Sequence, residues 1–345
     1  MKFTTPSPWL SDDGPDADVV MSCRVRLARN IVGFPFVGRA DDAQRLEILR
    51  ITEQVLLSLE LAEGMFWVDL TQSPTRDRQL LMERHLISRN LAEADFPRAV
   101  AVSGDECLSI MVNEEDHLRM QALGPGLDLD SLANRINEVD DALESRLDFA
   151  FSRRWGYLTA CPTNVGAGIR MSVMMHLPAL KLTGEIDCVR RAAKDLHLAV
   201  RGYYGEGSES AGDFYQISNQ ITLGRSEKDL LTEFRDHVLP QIIEYELEAR
   251  RMLVERNPQL LDDRIHRALG ILRSAHLLGA EEAMKLLSRV RLGIRLKRLP
   301  GLGLGTVIHL LLQVQTAHLQ KAVGASLNPD QRREARAKLV REALS

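Results

Sequence analysis

Several things are scarce in this chain of 345 residues. It has only four cysteines, Cys23, Cys107, Cys161 and Cys188, with no CxxC pair among them. That argues against a disulfide framework or a thiolate metal site and suits a reducing, cytoplasmic compartment. No apolar run is long enough to span a bilayer, and no basic stretch followed by an apolar core opens the chain, so neither a membrane span nor a secretory leader is expected. The net charge of -4 gives no electrostatic footprint for nucleic acid. There is no GxGxxG fingerprint, no Walker lysine and no internal repeat. What remains is an ordinary globular composition, 45% hydrophobic and 27% charged, with apolar mass for one large or two medium cores.

The chemistry-bearing residues are gathered in a few short stretches. In Ser22–Arg29, SCRVRLAR, arginines alternate with apolar residues. A period of two places Arg24 and Arg26 on one face of a strand, where they repel unless an anion lies between them. Asp77–Ser88 reads as a helix carrying His85. An apolar run, Leu108–Val112, leads into Asn113-Glu114-Glu115-Asp116-His117, a carboxylate cluster at a strand end, with Arg119 four residues beyond Glu115. A carboxylate that grips a guanidinium needs two-point geometry, which a rigid strand end supplies. Cys161–Leu180 starts with a thiol and a proline and turns through Asn164-Val165-Gly166-Ala167-Gly168, with Arg170 just behind. Glycines there permit positive φ, and free N–H groups would suit an anion. Met171–Leu177 reads as a helix. Arg201-Gly202 leads into Tyr203–Ser208, which reads as a glycine-hinged loop.

From Ser226 onward the signal is almost wholly helical, with about five helices. Ser226 with Asp229 suggests a cap, Pro240 a kink, and Asn257-Pro258 and Asn328-Pro329 helix starts.

These pieces occur in a recognisable order. S-x-R-x-R, N-E-E-D-H-x-R, C-P-T-N-x-G followed by R-M-S-V, and R-G-x-x-G-E together resemble the catalytic domain of the phosphagen (guanidino) kinases. The resemblance implies an α+β fold, an antiparallel or mixed sheet flanked by helices over residues 1–225, followed by an all-α domain over 226–345. By the same resemblance Arg24, Arg26, Arg119, Arg170 and Arg201 hold the phosphates of ATP. Ser22, His85, Met171, Ser172, Val173, Met174, Gly202, Gly205 and Glu206 add nucleotide contacts. Glu115 and Glu206 orient the acceptor guanidinium, and Cys161 is a reactive thiol beside it. Mg²⁺ is expected on phosphate oxygens, with no protein ligand set.

The first motif begins at Ser22, so no leading helical domain is expected. The tail, RALGILRSAHLLGAEEAMKLLSRVRLGI (Arg267–Ile294) and HLQKAVG (His318–Gly324), is similar to that of the bacterial protein-arginine kinases of this family. This implies phosphorylation of arginine in proteins, a mark for ClpC–ClpP degradation within a stress response, a McsA-like activator and a homodimer. It also implies a phosphoarginine pocket at Arg332 and Arg336, weakened by Arg333 where the family has aspartate. The alternatives are a kinase of a small guanidino compound such as free arginine, or a non-catalytic protease adaptor.

Overall fold

The computed structural model describes residues 7–203 and 211–345. Its centre is one eight-stranded sheet in which every neighbouring pair is antiparallel. The strands are β1 (Val20–Arg29), β2 (Phe66–Asp69), β3 (Ala99–Val102), β4 (Leu108–Val112), β5 (Leu118–Pro125), β8 (Ile169–His176), β9 (Leu198–Arg201) and β10 (Phe214–Asn219). Their order is β2-β3-β4-β5-β1-β8-β10-β9. A separate small hairpin pairs β6 (Phe151–Ser152) with β7 (Gly156–Tyr157).

Strand alternation decides what each face does. Cys23, Val25 and Leu27 of β1, Leu118, Met120 and Ala122 of β5, and Ile169, Met171, Val173 and Met175 of β8 enter one apolar cluster. Against that face pack α1 (Asp42–Ser58), α4 (Leu129–Glu144), α5 (Pro178–Thr183) and α6 (Ile186–Asp195). The opposite face is divided. At one end Met21, Leu123, Met174 and Phe214 join the cluster formed by the C-terminal helices. At the other end β1, β5, β8 and β9 carry arginines.

The expected helix over Met171–Leu177 is instead strand β8. From Met171 to His176 every side chain is buried, because helices and other elements cover both faces. The alternation is therefore invisible in an unbroken apolar run. The helix expected to carry His85 ends earlier: α2 spans Thr75–Glu83, α3 spans Arg89–Glu93, and His85 sits between them at φ 59°.

The chain turns helical at α7 (Glu227–Thr232), capped by Ser226. A π-helical turn (Glu233–Val238) leads into α8 (Leu239–Arg256), so Pro240 falls in its first turn and the irregularity lies just upstream. Leu230, Phe234, Val238, Leu239, Ile242 and Ala249 all pack into the sheet's own cluster. Five helices follow: α9 (Pro258–Ser274), α10 (Ala280–Arg295), α11 (Leu304–Gln313), α12 (Thr316–Val323) and α13 (Pro329–Leu344). Asn328 caps α13 in a capping box with Gln331, with Pro329 in the first position.

Candidate active site

The arginine-bearing end of the sheet is the floor of a cleft of about 420 Å³. Arg24 and Arg26 rise from β1, Arg119 from β5, Arg170 from β8 and Arg201 from β9, and all five line it, together with Glu115, Cys161 and His85. Residues up to 177 positions apart in the chain, from Arg24 to Arg201, thus share one surface. Strand order explains this: β5, β1 and β8 are adjacent, and β10 alone separates β8 from β9.

Each guanidinium is held differently. Arg24 Nε donates to Ser172 Oγ at 3.2 Å, and Arg170 Nη2 to Ser218 Oγ at 3.3 Å. Arg119 is paired with Glu114 at 2.6 Å and Glu115 at 3.0 Å. The Nε of Arg26 is buried with no hydrogen-bond partner among the described residues. Burial pushes Arg24 down to about 9, with the charges of Arg119, Arg170 and Arg201 adding to the shift. Arg26 is pushed well below the usual range by burial and then by Arg24, Arg119 and Arg170. A crowd of partly dehydrated cations creates a positive potential that favours a polyanion.

The acidic turn is built by its neighbours in the motif. Asn113 takes the left-handed conformation, φ 58°, and its Nδ2 donates to the carbonyls of Arg45 and Pro97. His117 Nδ1 accepts from the N–H of Ile31 at 2.9 Å. Asp116 Oδ1 accepts from Asn30 Nδ2 and, at 2.7 Å, from the N–H of Ala160. That last bond ties the carboxylate turn to the residue before Cys161. Glu114 is almost wholly buried and accepts from Ser88 Oγ at 2.7 Å. Glu115 is exposed to the cleft, where its side chain pairs with Arg119. Glu114 is a member of the acidic cluster that sequence reasoning left without a role. Its place in the strand-end motif was the available signal.

Cys161 opens a single 3-10 turn (Pro162–Asn164), and its Sγ lies 3.1 Å from Thr163 Oγ1. Gly166 and Gly168 do adopt positive φ, 113° and 67°. Three of the N–H groups expected to suit an anion at this turn are already spent. The N–H groups of Asn164, Val165 and Gly166 donate to the carbonyls of Cys161, Pro162 and Tyr157, so the turn uses them itself.

His85 lies against Trp9 and Tyr203, ring centroids 5.3 and 5.1 Å away, both edge-on. Burial, then the charge of Arg24, depresses its pKa to about 3, which keeps the ring neutral. Ser22 and Met174 line a smaller apolar recess with Trp9 and Tyr203, and this recess shares Arg24, His85 and Gln216 with the cleft. Trp9 comes from the proline-rich segment that precedes β1. Ser172 meets Arg24, whereas Met171 and Val173 point into the core on the other side of the sheet. Gly202 is buried, and the cleft lining does not include it. Gly205 and Glu206 lie outside the described residues. Arg89 adds an exposed sixth guanidinium that the sequence reading passed over.

In the tail, Arg336 is buried and donates to the carbonyls of Val314, Leu278 and Arg332. It pins α13 to the end of α11 and to the turn before α10.

Comparison with known proteins bears on this geometry. Residues 47–249 match the model of the ATP:guanido phosphotransferase C-terminal catalytic domain, and residues 258–345 that of the protein-arginine kinase McsB C-terminal domain. The chain belongs to the ATP:guanido phosphotransferase family, in its protein-arginine kinase branch. It is 43% identical to the protein-arginine kinase of Halothermothrix orenii over 341 residues, covering 98% of this chain and 97% of that one. It is 44% identical to that of Symbiobacterium thermophilum over 342 residues, again 98% and 97%. Among solved structures it resembles the duplicated taurocyamine kinase of Schistosoma mansoni with bound transition state analog components. There the TM-score is 0.62 and the identity 27%, over 71% of this chain and 35% of that one. It also resembles a lombricine kinase, with TM-score 0.59 and 26% identity over 72% of each. Like others of its branch, this guanido phosphotransferase is a kinase of arginine in proteins, with ATP as the phosphoryl donor.

Proposed function

We propose that the cleft is where the γ-phosphoryl of ATP passes to an arginine of a protein substrate, and that each residue there has a definable part. Arg24, Arg26, Arg119, Arg170 and Arg201 hold the phosphates, and their planar forks neutralise charge as it spreads over the transferred group. The observation that carries this reading is the convergence of those five side chains in one cleft with Glu115. Phosphoryl transfer asks little covalent chemistry of the protein, so positioning and electrostatics dominate.

Glu115 orients the acceptor guanidinium and accepts its proton as the nitrogen attacks. Glu206 is its proposed companion, by the family motif. Cys161 adds a polarisable contact at the same end. His85, Ser22 and Met174 contact the nucleoside end of ATP. Glu114 fixes Arg119. Both cleft carboxylates, Glu114 and Glu115, are engaged by Arg119 or Ser88. Mg²⁺ therefore fits best on phosphate oxygens and water, where it would neutralise phosphate charge.

The catalytic unit is proposed to span residues 1–225 and the helical domain 226–345, with α7 and α8 serving as the brace between them. The wider role proposed is arginine phosphorylation that marks proteins for ClpC–ClpP degradation during stress, in the cytoplasm, by a homodimer with a McsA-like activator. This rests on the family resemblance and on free cysteines suited to a reducing compartment. With Arg336 committed to backbone carbonyls and Arg333 in place of aspartate, phosphoarginine sensing at Arg332 and Arg336 has weak support.

The decisive experiment incubates the protein and ATP with either an arginine-rich disordered protein or free arginine. Phosphoarginine is then read by mass spectrometry under non-acidic conditions. Phosphoarginine on the protein substrate supports the reading. Modification of free arginine alone favours a small-guanidine kinase, and none on either favours an adaptor.

A further inference from the structure

A kinase acting on arginine within a polypeptide has to hold the chain around its target. The cleft is lined mainly by charged and polar side chains that address phosphate and guanidinium. The surface beside it is different. Phe151 and Trp155 of the β6–β7 hairpin are 58% and 44% exposed, and Leu223 is 44% exposed. All three line a groove of about 690 Å³. Large apolar side chains grouped on a surface mark a place where something binds.

The groove is preorganised. Phe151 meets Tyr157 edge-on at 5.2 Å, the Arg154 guanidinium lies 4.6 Å above the Trp155 ring, and Arg29 stacks on Tyr157 at 3.5 Å. Two segments join it to the cleft. In the first, Cys161, Thr163 and Asn164 face the cleft while Gly166 and Ala167 face the groove. In the second, Gln220 lines the cleft and Leu223 the groove. Thr222 Oγ1 locks the two together, donating to the carbonyls of Thr163 at 3.2 Å and Val165 at 2.9 Å. A Cβ on Gly166 would stand 2.8 Å from the Thr222 carbonyl oxygen, so the segments are fitted to each other. The step from Gln220 to Leu223 covers at most about 11 Å of chain, a span an extended substrate matches in about three residues.

We propose that this groove takes an apolar or aromatic side chain of the protein substrate, within about four residues of the arginine being phosphorylated, on an extended stretch of chain. The proposal rests on the reading above that the acceptor enters at Glu115 and Cys161. Continuity with that end of the cleft is what favours substrate over a second copy of this chain or another partner.

The test uses the full-length protein, ATP and synthetic peptides. Each peptide holds one arginine among serines and glycines, with a phenylalanine walked from four positions before it to four after. Phosphoarginine is measured by mass spectrometry. At one or two positions the phenylalanine should raise kcat/KM about tenfold over the all-polar peptide, chiefly through KM. The double variant Phe151→Ser, Trp155→Ser should lose that preference while using the all-polar peptide as the parent does, which also shows that it folds. A preference at no position, or one the variant retains, overturns the proposal. So does a variant that changes the sedimenting mass but not the preference, since the groove then belongs to a second copy. If the parent modifies no peptide and no protein substrate, the kinase reading itself has failed and this proposal falls with it.

Discussion

Arg26 of β1 and Arg170 of β8 stand directly opposite each other in the antiparallel register. Like charges in facing positions destabilise a sheet, by about 0.2–1 kcal/mol for a pair. Arg26 also buries an unpartnered Nε among the described residues, and leaving a donor unsatisfied costs more. The ligand-free protein therefore carries strain that a polyphosphate relieves. Arg26→Met is expected to raise the stability of the ligand-free protein by about 1 kcal/mol in denaturant unfolding. The same variant should lower protein-arginine phosphorylation by about a hundredfold or more. Added ATP should raise the melting temperature of the parent and hardly move that of the variant. A variant that is both less stable and fully active would remove Arg26 from the phosphate site.

Glu115 differs from Glu114 in exposure, and the difference sorts their roles. Glu115→Gln keeps size and a hydrogen-bonding side chain but cannot take a proton, so turnover should drop about a hundredfold or more. ATP affinity, read by equilibrium titration, should stay within about twofold, because the Arg119–Glu114 pair at 2.6 Å survives. Arg201→Ala should do the reverse first, weakening ATP binding. Near-parental turnover of Glu115→Gln would remove it as the base.

How much of this was readable beforehand varies with the physics. The arginines of β1 were legible because one face of that strand is apolar and the other is not. Helix starts at Ser226 and Asn328 were legible because capping is local chemistry. Strand β8 was not, since both its faces are covered. Nor was Trp9, which lies in a proline-rich segment with no periodicity yet packs against His85. Sheet order was beyond reach, because β1 pairs with β5 across roughly 100 residues and with β8 across roughly 150, and only long-range packing decides that.

His85 gives the protein a pH signature. Its pKa is lowered from 6.5 to about 3, so the unfolded chain takes up a proton that the folded chain refuses. A depressed histidine contributes stability that is fully present above pH 6.5 and is lost as pH falls from 6.5 toward 3. His176, buried and facing Arg291, Arg250 and Arg295, is shifted the same way. Unfolding free energy should therefore decline as pH drops below 6.5. In His85→Gln that slope should be shallower by about 1.4 kcal/mol per pH unit. Identical slopes between pH 6 and 4 would show that His85 titrates normally in the folded state.

A buried carboxylate helps to fasten the helical tail to the cleft wall. Glu83, the last residue of α2, accepts the N–H groups of Ala317 and His318 at 2.8 and 3.0 Å and the His318 ring Nδ1 at 2.8 Å. It thereby satisfies first-turn donors of α12, which have no partner within their own helix. The other ring nitrogen of His318 lies 3.2 Å from Arg84, whose guanidinium forks onto Glu106 at 2.6 and 2.8 Å. His85 comes next in the chain, so the same few residues hold the tail and shape the wall of the cleft. Glu83→Ala strips partners from buried donors and should cost about 3 kcal/mol in chemical unfolding. Because α2 then loses its anchor, KM for ATP should rise more than kcat falls. His318→Ala keeps both backbone bonds to Glu83 and should show the smaller effect on each quantity. Equal losses in the two variants would mean the imidazole, rather than the capping carboxylate, carries the connection.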